Sequence, residues 1–412
     1  MNTATEEIVA AQASAASQAA QNPSIRPFTY HAPQAELDDL RRRIVATRLP
    51  EKETVADFSQ GVPLATVQKL ARYWATEYDW RKVETRLNAV PNFITEIDGL
   101  DIHFIHARSK HENALPVIVT HGWPGSIVEQ LKLIEPLTNP TAYGGTAADA
   151  FHVVIPSIPG YGFSGKPTAT GWGPEHVARA WDVLMKRLGY TSYVAQGGDW
   201  GAIITELMGA QEPKGLLAVH TNMPNVIPPA IDAAALAGAP VPAGLSADEK
   251  HAYEMLAAFY KNVYYGFFMA TRPQTLTGLS DSPVGLATFL LDHDARSLEL
   301  IARSFDGVKE GLTRDDVLDN VTLFWLTNTG VSASRLYWEN KLGFFTPKGV
   351  KVPVAASAFP DELYQAPRSW AEQAYPNLIH YNKLPKGGHF AAWEQPKFLS
   401  EEMRAGFKSL RS

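Results

Sequence analysis

The chain of 412 residues contains no cysteine. That absence excludes disulfides, thiolate-held zinc or iron–sulfur centres and a thiol nucleophile, and it is compatible with a reducing compartment. Basic charge is not in excess either: 37 Lys and Arg stand against 43 Asp and Glu, a formal net charge of -6. A nucleic-acid-binding surface calls for a clustered basic face, so no nucleic-acid partner is expected. Uncharged apolar runs of about 18 residues, the length of a membrane span, are missing as well. The first 24 residues lack the basic start and unbroken apolar stretch of a signal peptide: Glu6 and Glu7 occupy the start, and Gln and Ser interrupt every apolar run. A frayed tail is expected over 1–24. Absent, finally, is any Gly-x-Ser-x-Gly, which removes the usual serine elbow of an α/β hydrolase. The 45% hydrophobic and 19% charged fractions suffice for a folded chain with a sizeable core.

The organisation changes along the chain. From 25 to 92 the apolar residues recur at helical spacing, with Leu37, Leu40 and Ile44 in one run and Val67, Leu70 and Trp74 in the next. Val83 and Leu87 continue the stripe, and a small helical N-terminal domain is expected. From 93 to 235, short β-rich runs alternate with helical stretches: Phe93–Ile97, Asp101–His106, Pro116–Thr120, Phe151–Ile155, Tyr193–Gln196 and Leu217–Thr221. Val352–Ala356 and Leu378–Tyr381 resume the pattern within 346–412. Several runs are continuously apolar, as strands covered on both faces are, and the alternation predicts a mostly parallel, doubly wound sheet. Pro228 to Leu245, rich in Ala and Pro, reads as a linker or excursion. Over 236–345 the strand signal vanishes, and a helical lid over the C-terminal ends of the strands is expected.

Three segments carry chemistry. Gly197-Gly198-Asp199-Trp200-Gly201 lies between an apolar strand and a helical run. A nucleophile elbow needs small residues two before and two after the reactive residue, and here they flank an aspartate. The competing reading is that Asp199 caps the helix that follows. His121-Gly122-Trp123-Pro124-Gly125-Ser126 follows an earlier strand, where α/β hydrolases place one oxyanion-hole N–H; the residue after the nucleophile supplies the other. This assigns the backbone N–H groups of Trp123 and Trp200, with His121, Pro124, Trp123 and Trp200 beside the substrate. His121 is alternatively a hydrogen-bonded buried residue. Gly387-Gly388-His389-Phe390, near the C-terminus, offers a base histidine in the order nucleophile, acid, histidine, with Phe390 at the pocket. Between them Phe359-Pro360-Asp361-Glu362 provides two carboxylates, and spacing does not choose between them. Gly160-Tyr161-Gly162-Phe163-Ser164-Gly165 matches a dinucleotide fingerprint but opens no helix, since Pro167, Gly171, Gly173 and Pro174 follow, so it is read as a loop lining the site.

With these residues in view, the sequence resembles the microsomal-type epoxide hydrolases, the branch with a dedicated helical N-terminal domain. The resemblance extends from about Ile25 to the end, through Leu40-Arg41-Arg42-Arg43, Thr47-Arg48-Leu49-Pro50, Tyr78-Asp79-Trp80-Arg81 and Ile97-Asp98-Gly99-Leu100 as well as the three segments above. It implies an α/β-hydrolase fold with a helical lid, and it implies further residues. The family's acid closes a Phe-Pro-x-Glu motif, which falls on Glu362 rather than Asp361. Its two lid tyrosines fall on Tyr265 and Tyr337, with Tyr264 a one-residue alternative to the first. The implied reaction is hydrolysis of a small apolar epoxide to a vicinal diol through an ester on Asp199, released by water that His389 and Glu362 activate, without metal or cofactor. Membrane-bound members carry an N-terminal apolar anchor that this chain lacks, so a soluble, cytoplasmic, bacterial-like member is expected, and a homodimer is compatible with it. The alternatives are a haloalkane dehalogenase, which shares the Asp nucleophile but needs no paired phenols, and a non-catalytic small-molecule binding protein of the same fold.

Overall fold

Residues 23–411 are described by the computed structural model; the tail expected over 1–24 lies outside them apart from Pro23 and Ser24. The chain enters along β1 (Arg26–Phe28), a three-residue strand that the sequence pattern does not reveal, followed by helices α1 (Gln34–Val45), α2 (Leu64–Thr76) and α3 (Trp80–Ala89). Each helix buries the stripe expected of it: Leu37, Leu40 and Ile44 on α1, Val67, Leu70 and Trp74 on α2, and Val83 and Leu87 on α3, where Trp80 joins them. Asp79 starts α3 by accepting the Arg81 N–H with its side chain.

The sheet is built from β1, β2 (Asn92–Ile97), β3 (Leu100–Ala107), β4 (Leu115–Thr120), β5 (Phe151–Pro156), β6 (Tyr193–Gly197), β7 (Leu216–Thr221), β8 (Val354–Ala358) and β9 (Leu378–Lys383). Its spatial order is β1-β2-β3-β5-β4-β6-β7-β8-β9, antiparallel from β1 to β5 and parallel from β5 to β9. The central strands are buried on both faces, which accounts for their unbroken apolar sequence. Helices α4 (Ile127–Thr138), α5 (Pro174–Arg187) and α6 (Trp200–Gln211) cross between these strands. The chain moves outward from β4 in both directions, to β5 on one side and β6 on the other. A crevice forms at such a reversal beyond the C-terminal strand ends, and the register that pairs Thr120 with Gly197 sets the loops after β4 and β6 side by side.

Between β7 and β8 the described chain is helical: α7 (Pro229–Leu236), α8 (Ala247–Tyr260), α9 (Tyr264–Thr271), α10 (Pro283–Leu291), α11 (Ala295–Phe305), α12 (Arg314–Leu326) and α13 (Gly330–Glu339). The stretch from Pro228 to Leu245, read as a linker, contains α7: its Ala-rich composition forms a helix once Pro229 starts it, since the first turn does not need the missing N–H. The N-terminal helices hold this region from outside. Trp74 Nε1 donates to Thr322 at 3.0 Å, and the Tyr78 hydroxyl donates to Asp319 at 2.8 Å, both on α12. Burial pushes the Asp319 carboxyl up to about 7 despite its ion pair with Arg86. No helix among the described residues is long and apolar enough to cross a membrane. The chain closes with α14 (Arg368–Ala374), α15 (Ala391–Glu394) and α16 (Pro396–Gly406) against the sheet.

Candidate active site

Asp199 stands between β6 and α6 with φ 52° and ψ -127°, a conformation that costs a non-glycine residue about 1–3 kcal/mol. The turn closes this sharply because its flanks are glycines. A Cβ on Gly201 would overlap the Thr120 carbonyl oxygen, and one on Gly197 the carbonyl of Gly201. The Asp199 side chain makes no capping bond to α6. Its Oδ1 instead accepts the Trp123 N–H at 2.7 Å, across the approach that the β4–β6 register creates. Gly122 allows that approach, because a Cβ there would overlap the Asp199 carboxylate. Trp200 opens α6, so its backbone N–H is one of the first-turn donors that a helix leaves free.

His389 lies on the loop after β9, and Glu362 on the loop after β8. A parallel bridge between Asp361 and Gly388 extends the strand pairing into these loops and turns Glu362 toward the imidazole. Glu362 Oε1 is 2.5 Å from His389 Nδ1, and it also accepts the Leu363 N–H at 2.8 Å. His389 Nε2 is 3.4 Å from Asp199 Oδ2, within ion-pair distance but without hydrogen-bond alignment. Asp361 is half exposed and faces Arg296. Burial penalises the charge on His389, yet Glu362 and Asp199 outweigh it and hold the imidazolium well above the usual histidine range. Burial likewise raises Asp199, but the ion pair with His389 and the Trp123 N–H prevail and hold its carboxyl below the usual range.

The opposite wall comes from the lid. Tyr265 on α9 and Tyr337 on α13 are both buried, with ring centroids 6.4 Å apart. Tyr265 stacks on Trp123 at 4.9 Å, and Tyr337 meets Trp200 edge-on at 4.8 Å. Tyr264 is 73% exposed and points away. Burial, then the Asp199 charge, lifts both buried phenols well above their usual range, so both are protonated at neutral pH. Phe390 packs edge-on against the His389 ring at 5.0 Å. Pro124 follows Trp123 across a cis peptide bond, and its carbonyl accepts from Asn320 on α12.

His121 is not free to meet a ligand: its Nδ1 lies 3.0 Å from the Gly122 carbonyl, and its Nε2 accepts the Ile158 N–H at 3.2 Å. Burial holds it down to about 4, neutral and fixed beneath the loop. The Gly160–Gly165 loop opens no helix; the Ser332 hydroxyl on α13 donates to the Gly160 carbonyl. A cleft of about 810 Å³ opens between Leu49 and Pro50 on one side and Tyr265, Phe268 and Phe289 on the other, with Tyr265 on its wall but not Asp199.

Two groups in this region escaped sequence reasoning. Glu129, in the first turn of α4, is buried, and burial above all pushes its carboxyl up to about 8. Its place three residues after the N-cap Ser126 reads from sequence as helix-capping chemistry. His293, between α10 and α11, stacks on His389 with centroids 4.2 Å apart. One nitrogen of each imidazole and an Asp199 carboxylate oxygen lie within 4.8 Å of one another, a donor set spaced closely enough to hold a metal ion. The only sequence signal for His293 is a histidine between two aspartates at the end of an apolar helix.

The family model described as "Epoxide hydrolase N terminus" matches residues 25–130, and one described as "alpha/beta hydrolase fold" matches 116–262. The chain is 49% identical over 391 residues to a putative epoxide hydrolase of Stigmatella aurantiaca, covering 94% of this chain and 86% of that protein. It is 36% identical to epoxide hydrolase 1 of Oryctolagus cuniculus, covering 92% and 88%. Among solved structures, the juvenile hormone epoxide hydrolase of the silkworm Bombyx mori superposes with a TM-score of 0.82 at 28% identity, covering 96% of each chain. The Aspergillus niger epoxide hydrolase gives 0.79 at 31% identity, covering 94% of this chain and 97% of that one.

Proposed function

The chain belongs to the epoxide hydrolase family, and on that premise we propose that it opens a small apolar epoxide to a vicinal diol through a covalent ester on Asp199, beneath a lid formed by 236–345. The observation that carries this reading is the Asp199 carboxylate held between the Trp123 N–H and His389, with Glu362 behind the imidazole and two protonated phenols on the facing lid.

In the first step a carboxylate oxygen of Asp199 attacks an oxirane carbon in line with the C–O bond that breaks. The electron pair of that bond goes to the oxirane oxygen, which takes a proton from Tyr265 or Tyr337. Asp199 keeps its charge below the usual carboxylate range, and an enclosed site that positions the reactants lowers the barrier further. Burial above all keeps the phenols weakly acidic and the Asp199 charge adds to it; as the ester forms that charge is lost, and proton donation becomes easier as the alkoxide develops.

In the second step water gives a proton to His389 and attacks the ester carbonyl carbon. A resting imidazolium is not a base. Its charge is supported by both Glu362 and Asp199, however, and esterification removes the Asp199 contribution. Alkylation therefore lowers the His389 pKa, its proton passes to the phenolate left by the first step, and the neutral imidazole is the base for the following step. The Trp123 and Trp200 N–H groups stabilise the tetrahedral oxyanion, commonly a large contribution. Collapse expels the diol as an alkoxide, which takes the remaining proton of the attacking water; the Asp199 carboxylate is restored, and the proton that His389 took from water replaces the one it passed to the phenolate.

His389→Gln tests the reading. The variant is expected to alkylate and then stall, so that intact-mass measurement finds a substrate adduct, mapped by peptide digestion to Asp199. Mass unchanged under saturating epoxide, in a folded variant, refutes the ester.

A further inference from the structure

We infer that His293 is a second imidazole of the hydrolytic step: its Nε2 accepts a hydrogen from the water that His389 deprotonates, and so aims that water at the Asp199 ester. The inference rests on the ester mechanism proposed above.

His293 is almost completely buried, on the turn between α10 and α11. Its Nδ1 lies 2.9 Å from Asp294 Oδ2, and Asp294 is fixed in turn as the N-cap of α11, where its Oδ1 accepts the Ser297 N–H at 2.8 Å. Burial opposes the charge on Asp294, but the bonds from His293 and Ser297 and the charge on His389 outweigh it and hold the carboxyl at about 2. A carboxylate at Nδ1 makes that nitrogen the N–H and leaves the lone pair on Nε2. His293–Asp294 thus repeats on the lid the pairing that His389–Glu362 makes on the sheet.

The two imidazoles stack at 4.2 Å with 27° between their planes. Both Nε2 atoms are buried without a hydrogen-bond partner among the described residues. Buried polar atoms of this kind call for an explanation. In that tautomer His293 Nε2 presents an acceptor. A water bonded at about 2.8 Å to two acceptors sets them roughly 4.4 Å apart, compatible with the 4.8 Å that encloses one nitrogen of each ring and the Asp199 oxygen. With both hydrogens committed, the remaining lone pairs of that water face the acid that carries the ester. His389 takes the proton, while His293 removes the rotational freedom of the nucleophile.

The test separates the two half-reactions by rapid quench and intact-mass measurement on the full chain with an excess of styrene oxide. His293→Leu removes the acceptor, and His293→Gln returns one at similar reach. Expected for His293→Leu is ester hydrolysis slowed about tenfold, as the loss of one positioning hydrogen bond would give, with ester accumulating at steady state. Its alkylation rate stays within about twofold of the parent, and His293→Gln recovers most of the hydrolysis rate. Two results overturn the inference while leaving the ester intact: hydrolysis unchanged in His293→Leu, or alkylation and hydrolysis falling together and staying low in His293→Gln, as a packing role would produce. Ester absent from every variant, His389→Gln included, removes the mechanism and this inference with it.

Discussion

The two walls of the site are held in place by opposite means. On the sheet side, Asp199, the Trp123 N–H and His389 sit on turns at the ends of parallel strands, and backbone contact fixes them: the elbow closes only because Gly201 has no side chain to strike Thr120. On the lid side, Tyr265 and Tyr337 sit on separate helices and His293 on the turn between two others, and aromatic packing with Trp123, Trp200 and His389 holds them. The difference suits the roles proposed for each wall. A nucleophile and its base need one fixed line of attack, whereas proton donors above a substrate work from a surface that adapts to the ligand beneath it.

Breaking the lid wall chemically should give the largest effect. Tyr265→Phe with Tyr337→Phe removes both proton donors while keeping their rings, and alkylation is expected to slow by about 10²–10⁴-fold, the usual range for a positioned acid. Each single variant should lose less, because the other phenol still reaches the same oxygen. Tyr264→Phe, one residue away but exposed, should leave the rate unchanged. Stopped-flow tryptophan fluorescence of the four proteins checks this, and equal losses at Tyr264 and Tyr265 would refute the assignment. Breaking the sheet wall acts on the backbone instead. Gly201→Ala forces a methyl group against the Thr120 carbonyl, so a loss of about 1–3 kcal/mol of stability is expected. Denaturant unfolding measures it, and the activity of the folded fraction should fall as well. A fully stable, fully active Gly201→Ala would show that the elbow tolerates what the geometry forbids.

The same contrast decides how much was legible in the sequence. The sheet wall announces itself locally: a small residue two before and two after Asp199, and glycines around His121 to Ser126 and before His389, are short-range requirements that survive in a linear text. The strands of the parallel core could be read because burial on both faces leaves them continuously apolar. β1 could not, since three residues pairing as an edge strand leave no periodicity. The lid wall is tertiary. Tyr265 and Tyr337 came only with the family resemblance. His293 was missed altogether, because its meaning depends on α10 and α11 folding back over a loop almost a hundred residues later in the chain. The neighbouring carboxylates Asp361 and Glu362 are indistinguishable by spacing, and it is the bridge to Gly388 that turns one toward His389 and leaves the other facing Arg296.

The smallest expected effect is also the one that sets the two half-reactions against each other. Asp199 is held below the usual carboxylate range, so lowering the pH through that range should leave it ionised and alkylation intact. Glu362 raises His389 throughout, and the charge of Asp199 adds its support in the resting enzyme. In the ester that support is gone, so the imidazole has a lower pKa there than in the resting enzyme, and it is the basic form that acts. Hydrolysis is therefore complete above the ester-state pKa and is lost as pH falls through it, by at most about tenfold per pH unit. The signs together predict that acidification slows turnover by trapping ester rather than by preventing its formation. Single-turnover quench at a series of pH values measures both rates on the same protein. If alkylation fell with acid while hydrolysis held, the charge between Asp199 and His389 would have to be arranged the other way round, and the division of labour between the two walls would need to be redrawn.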